Sequence, residues 1–97
     1  MILIIHIIRF LLGPVHYKMP IERHHDHKLY VPYDELPAAE FYPDYISGSL
    51  RISNPGTARL IAEAAQEVQF FRMEDVWVSG YIAQYLHIKL QVIKQLL

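Results

Sequence analysis

The chain has 97 residues, of which 53% are hydrophobic and 12% aromatic. That composition supports one small hydrophobic core and not two, so the chain forms one domain at most. Nine basic and ten acidic residues give a formal net charge of −1, which excludes the basic surface that nucleic-acid binding requires. There is no cysteine, so disulfide bonds, thiolate metal sites and cysteine nucleophiles are excluded as well.

The first segment, Met1 to Leu12, is the most apolar part of the chain. As a helix it would span about 18 Å, against roughly 30 Å for the hydrocarbon core of a bilayer, so it cannot cross a membrane alone. Arg9 interrupts the apolar run, which argues against a signal peptide. The density of isoleucine favours a buried strand, with a short buried helix as the alternative. Met1 is either a true start or the point at which a longer reading frame was cut.

Residues 13–43 contain five of the six prolines and four of the six histidines. Proline at this density predicts an irregular segment, apart from short pieces such as KLYV at 28–31. The run HHDH at 24–27 contains side chains of the kind that bind zinc. Neighbouring side chains in an extended loop point to opposite sides, so only His25 and His27 would share a face. We therefore predict a solvated polar loop in preference to a metal site.

Residues 44–97 are predicted to contain a strand, two helices and a closing strand. The stretch YPDYISGSLRIS at 42–53 predicts a turn, a strand, a close backbone approach and a second strand. Gly48 marks the close approach, either as a β-bulge or as a place where a ligand or another backbone segment comes close. Residues 88–92 alternate apolar and polar side chains, which predicts an edge strand.

The first helix is predicted over residues 55–67. Either Ser53 or Asn54 suits the N-cap position, and Pro55 suits the first turn. Apolar residues then recur at helical spacing up to Val68. The predicted solvent-facing residues are Arg59, Glu63, Gln66 and Glu67.

The second helix is predicted over residues 74–86, and it begins with Glu74 and Asp75. Acidic side chains in a first turn accept free backbone N–H groups and are favoured by the helix dipole. On this pattern alone, one of the two acids caps the helix. The predicted apolar stripe consists of Val78, Tyr81, Ile82 and Tyr85.

Six motifs follow one another along residues 13–90. They are Gly13, Pro20 with Arg23, KLYV at 28–31, YPDYISG at 42–48, the helix after Pro55, and EDVW at 74–77 followed by Ser79 and Gly80. This order resembles the C-terminal part of the β-1,3-glycosyltransferases of glycosyltransferase family 31. No single motif is specific, but their number, order and spacing match the family.

The resemblance implies a glycosyltransferase-A type α/β fold, of which this chain forms the C-terminal portion, with a mixed sheet and two helices. It also implies a UDP-sugar donor, a glycan acceptor, a divalent metal that is usually manganese, and inversion at the sugar C1. In that chemistry a carboxylate takes the proton of the acceptor hydroxyl as its oxygen attacks C1. By the match, Asp75 is this base and Glu74 orients or supports it. The implied substrate-binding residues are Tyr42, Tyr45, Ser47, Gly48 and Trp77, with Trp77 either a core residue, which we favour, or a wall on which the sugar stacks.

The chain departs from the family pattern at two points. Leu50 and Arg51 stand where the family usually has a second glycine and an aromatic residue. The aspartate-x-aspartate element that holds the metal and the diphosphate is absent, because the aspartates lie at 26, 34, 44 and 75. We therefore expect a C-terminal fragment or truncated relative that retains the acceptor-side part and the base. As an isolated chain it is predicted to be inactive. Full-length relatives are expected to be anchored in the Golgi membrane, and we recognise no transmembrane anchor in this sequence.

A non-catalytic structural or interaction module is the alternative. In that hypothesis Asp75 is only a helix cap, and the apolar strand at Met1 to Leu12 pairs with a partner. Unpaired apolar strands associate readily, so the partner would be either the missing N-terminal half or another copy of the chain.

Overall fold

The computed structural model describes residues 9–37, 39–48 and 50–92. The strands are β1 (Phe10–Gly13), β2 (Val15–His16), β3 (Tyr45–Ile46) and β4 (Lys89–Val92). The helices are α1 (Pro55–Ala64) and α2, which runs without a break over residues 74–85. This mixture of short strands and two helices confirms the predicted α/β class. Among the residues described, no helix is long and apolar enough to cross a membrane.

The strands form two small sheets. β1 pairs in parallel with β4, and β2 pairs antiparallel with β3. The predicted strand at 88–92 is therefore confirmed, whereas the second strand predicted after Gly48 is reduced to a single antiparallel bridge between Ile52 and Leu12. The predicted N-terminal strand is present from Phe10, and residues 1–8 of that prediction lie outside the described part of the chain.

Helix α1 begins at a side-chain cap. Asn54 is the N-cap, because its Oδ1 accepts the backbone N–H of Thr57 at 2.8 Å. The helix ends at Ala64, three residues before the predicted end at Glu67, since the chain turns there and the amides of Glu67 and Val68 both donate to the Ala64 carbonyl. The four predicted solvent-facing residues are exposed. Thr57 is only 1% exposed, and its hydroxyl accepts the Phe10 N–H at 3.3 Å.

Helix α2 has no side-chain cap. Its N-cap is Met73, and Glu74 and Asp75 lie in the first turn without capping it. The prediction that one of these acids caps the helix was therefore wrong. The physical reason is that both carboxylates are bound elsewhere, Asp75 to the Gly48 amide and Glu74 to the Arg51 guanidinium.

The middle of α2, Trp77–Ile82, is π-helical. A π-helix bonds residue i to i+5, so its turns are wider and a buried stripe does not keep the α-helical period. Ile82 is fully buried as predicted, but Tyr85 is 51% exposed, so the predicted stripe was wrong there. The buried face instead includes the small residues Ser79, Gly80 and Ala83.

Two groups of buried residues form the core. The first contains Ile21, Val31, Tyr42, Phe71 and Val76, and the second contains Leu11, Ile46, Ala83 and Ile88. Helix α2 contributes to both groups, because Val76 lies near its start and Ala83 near its end. The helix therefore holds the proline-rich segment on one side and the paired strands on the other.

The proline-rich segment is irregular apart from β2, as predicted, although the short regular piece predicted at 28–31 is wrong, because these residues form a turn and coil. Arg23 organises the segment. Its guanidinium donates to the carbonyl oxygens of Val31, Leu36 and Ala39 at 2.9, 2.6 and 3.0 Å. It also lies 4.0 Å from the ring centroid of Tyr33, a distance at which cation–π attraction operates. Proline has no backbone N–H to donate, and the Arg23 side chain supplies three hydrogen bonds to backbone carbonyls of this segment.

The histidine run lies in a turn at the surface. Glu22 contacts His24 Nδ1 at 2.8 Å and His27 Nε2 at 3.8 Å. Hydrogen bonds from His24 hold the pKa of Glu22 below its usual value. Within the described ranges, no group of three or more histidine or acidic side chains is arranged to hold a metal ion.

Candidate active site

The turn after β3 and the first turn of α2 meet at Gly48 and Asp75. The Gly48 N–H donates to Asp75 Oδ2 at 2.9 Å. A Cβ atom placed on Gly48 would lie 2.3 Å from Asp75 Oδ1, far inside van der Waals contact. The sequence predicted that Gly48 marks either a bulge or a close approach, and the structure shows a close approach to the acid that the motif match identified as the base.

Ser79 joins α2 to β3 one turn further along. Its Oγ accepts the buried Ile46 N–H at 2.7 Å, and it lies 2.6 Å from the carbonyl oxygen of Asp75 and 3.1 Å from that of Ile46. The hydroxyl proton therefore has an acceptor on α2 or on β3. Ser79 is fully buried, so these bonds form without competition from water and fix the position of Asp75 relative to β3.

Gly80 is the point at which α2 passes closest to the strand. A Cβ atom there would lie 3.1 Å from Pro43 Cγ and 3.5 Å from Tyr45 Cβ. A side chain at residue 80 would therefore require Pro43 to shift by a few tenths of an ångström. The absence of a side chain at Gly80 allows α2 to pack closely against β3.

Arg51 binds the other acid. Its Nη2 lies 2.7 Å from Glu74 Oε1. This hydrogen bond lowers the pKa of Glu74 below its usual value of 4.5, with a smaller contribution from the side chain of Asp75, against the opposing effect of burial. Of the two acids, Glu74 is therefore the one whose negative charge is stabilised by the Arg51 guanidinium.

Aromatic side chains surround this region. Tyr45 stacks on His16 with ring centroids 5.2 Å apart, and burial together with the charge of Asp75 raises the pKa of Tyr45. Trp77 meets Phe70 edge to face at 5.0 Å, and Phe70 is 67% exposed. Trp77 Nε1 is buried and has no hydrogen-bond partner among the described residues.

The structure brings together only part of the predicted site. Gly48 and Asp75 are in contact, Ser47 and Tyr45 lie beside them on the same turn and strand, and Glu74 is adjacent in α2. Tyr42 lies in the core, 9% exposed, with its hydroxyl 3.6 Å from Met73 Sδ. Trp77 is half-buried against the first core group.

Two contributors were missed by sequence reasoning. Ser79 was recognised only as a small residue of a motif, although its position four residues after Asp75 places it one helical turn away, which was the available signal. Arg51 was noted only as a departure from the family pattern. No local pattern reveals its partner, because Glu74 lies 23 residues further along the chain.

Comparisons with known proteins agree with the order of motifs. A family model described as Galactosyltransferase matches residues 6–94. A search of curated proteins found no match. The matched range includes every described residue, and with it the Gly48–Asp75 contact and the Ser79 bonds. The chain therefore belongs to the galactosyltransferase family, of the glycosyltransferase family 31 type, whose members are glycosyltransferases.

Proposed function

We propose that this chain is the acceptor-side part of a hexosyltransferase. The proposed enzyme transfers a hexose or an N-acetylhexosamine from a UDP-sugar to a glycan hydroxyl in β-1,3 linkage, with inversion at C1. The observation that carries the proposal is the hydrogen bond from the Gly48 N–H to Asp75 Oδ2. It unites the two motif elements to which the family resemblance assigns the base and the substrate cleft.

In the proposed reaction, Asp75 accepts the proton of the acceptor hydroxyl. The hydroxyl oxygen forms a bond to C1 of the donor sugar while the bond from C1 to the diphosphate oxygen breaks, and its electron pair leaves with UDP. A positioned base of this kind contributes about 10²- to 10⁴-fold to the rate. The Gly48 amide fixes one carboxylate oxygen, so the carboxylate is oriented before the acceptor binds.

No residue of this chain is proposed to bind a metal in these steps. The resemblance implies manganese, but no metal-binding group is present among the described residues and the chain has no aspartate-x-aspartate element. The described residues do not fit a manganese site, so no residue is assigned as a manganese ligand. Tyr45 and Ser47 are proposed to contact the sugars, whereas Trp77 packs against the core. The Golgi membrane, on its lumenal side, is the proposed location of the whole enzyme.

The experiment is a UDP-sugar turnover assay on this chain and on a version extended upstream. The short chain is expected to be inactive, and turnover by it would contradict that expectation. In the extended enzyme, Asp75→Asn keeps the shape of the side chain and removes the base, so activity should fall by about 10² or more. Asp26→Asn, in the exposed histidine turn, is the matched control. Wild-type turnover by Asp75→Asn would refute the role of Asp75.

The alternative of a non-catalytic module required Asp75 to cap its own helix. In the structure α2 has no side-chain cap, and the Asp75 carboxylate binds a separate segment. A capping carboxylate would face the free N–H groups of its own helix, so Asp75 is not a cap, and we propose that it is the base.

A further inference from the structure

The guanidinium of Arg51 lies beside the acid pair Glu74 and Asp75, and the arginine side chain is partly buried there. Its side chain is 26% exposed, whereas that of Glu74 is 57% exposed. One nitrogen, Nη2, binds Glu74 Oε1 at 2.7 Å. The other, Nη1, is buried and has no hydrogen-bond partner within the described residues. The guanidinium is therefore held at Glu74 by its surroundings and is not a freely moving surface charge.

Glu74 and Asp75 are adjacent in the chain, and the negative charges of two neighbouring carboxylates repel each other. Two like charges at one site disfavour double ionisation, and a cation beside one carboxylate favours the charged form of that carboxylate. Among the described residues, Arg51 donates to Glu74 and the Gly48 amide donates to Asp75. Tyr45 on β3 is a titratable group that feels the charge of Asp75.

We propose that Arg51 is a positioning residue that divides the acid pair: by binding Glu74, it leaves Asp75 as the single carboxylate that receives the proton of the acceptor hydroxyl. This assignment rests on the proposed function. It also assigns a role to Arg51, which stands where the family usually has an aromatic residue.

The first test is a carboxyl-detected NMR titration of the 97-residue chain. In Arg51→Gln the titration midpoint of Glu74 should rise, and Arg51→Lys should restore part of the change because a charge returns without the planar fork. Arg59→Gln, on the exposed face of α1, is the control and should leave the midpoint unchanged. An unchanged Glu74 midpoint in a folded Arg51→Gln chain would overturn the proposal.

A second variant protects the test against loss of folding. Glu74→Gln removes the partner of Arg51 from a largely exposed position, so the fold should be retained. In this background, adding Arg51→Gln should change the kcat/KM profile of the extended enzyme much less than it does in the wild-type background. An equal change in both backgrounds would mean that Arg51 acts on Asp75 directly, and the proposed division through Glu74 would be rejected.

The extended enzyme separates this proposal from the proposed function. The acid limb of the kcat/KM profile should change position in Arg51→Gln, because Glu74 then competes with Asp75 for the proton, and Arg51→Lys should move it back. A uniform loss at every pH would indicate a structural role only. If Asp75→Asn retained turnover, the proposed function would fail, whatever the Arg51 variants show.

Discussion

The backbone amide of Gly48 binds the carboxylate of Asp75 at 2.9 Å across 27 positions of sequence. This bond draws the acid away from the N–H groups of its own helix and towards the turn after β3. The approach is possible only because residue 48 has no side chain, since a Cβ atom would occupy the space of Asp75 Oδ1.

The first prediction concerns Gly48→Ala. The new methyl group should displace the Asp75 carboxylate, which is the end of a flexible side chain, so stability should fall by only about 1 kcal/mol. Turnover by the extended enzyme should fall by about 10² or more, because the base is misplaced. Gly56→Ala, at an exposed position in the first turn of α1, is the control and should preserve turnover. Equal turnover in the two variants would show that the approach at Gly48 is not needed.

The second prediction concerns Ser79→Ala. This change leaves the buried Ile46 N–H without its acceptor at 2.7 Å, and an unsatisfied buried donor costs about 1–3 kcal/mol. Urea denaturation should show this loss in the free energy of unfolding. Ser53→Ala removes the bond from its hydroxyl to the neighbouring Asn54 carbonyl and should cost less than the Ser79 variant. A smaller effect at Ser79 than at Ser53 would contradict the role given to its hydroxyl.

The third prediction concerns Arg23→Met. The substitution keeps much of the apolar stem but removes three hydrogen bonds to backbone carbonyls and the contact with Tyr33. We expect a loss of about 2–4 kcal/mol, since each bond from a charged donor contributes about 1.5–3 kcal/mol and water replaces part of it. Limited proteolysis should show new cleavage within residues 31–37. Arg59→Met, on the exposed face of α1, should be cleaved like the wild type.

The fourth prediction concerns His87→Gly. His87 ends α2 in the left-handed region, with φ 57°, and the amides of His87 and Ile88 donate to the carbonyls of Gln84 and Ala83. This is a Schellman cap, which favours glycine at that position. Glycine should raise the free energy of unfolding by about 0.5–1 kcal/mol and Tm by about 3–6 °C. His25→Gly, in a turn without positive φ, should give no gain in thermal denaturation.

The fifth prediction concerns alkaline pH. Burial raises the pKa of Tyr42 above its usual 10.0, so the folded chain keeps a proton that the unfolded chain releases. The stability linked to this proton is present below pH 10 and is lost as the pH rises through the folded pKa. The free energy of unfolding of Tyr42→Phe should therefore decline less steeply above about pH 10. Tyr17→Phe, whose ring is 57% exposed, is the control variant.

Local sequence was sufficient for the elements whose bonds are local. Asn54 caps α1 because its side chain reaches an amide three residues away, and Pro55 fits the first turn that follows. Alternation at 88–92 predicted β4 because side-chain period is a property of the strand itself. The order of motifs was sufficient for the family, since it depends only on spacing along the chain.

The tertiary structure decided what the acids do. Short-range rules assigned Glu74 or Asp75 to a helix cap, since they count only the N–H groups of the same helix. The fold offers Asp75 the amide of Gly48 and offers Glu74 the guanidinium of Arg51, both more than 20 residues away. The π-helical turns of α2 are likewise not apparent from the sequence, and Tyr85, which follows them, is exposed to solvent. Sequence thus determined which chemical groups are present and in what order, whereas long-range contacts determined their partners, because a hydrogen bond depends on distance in space.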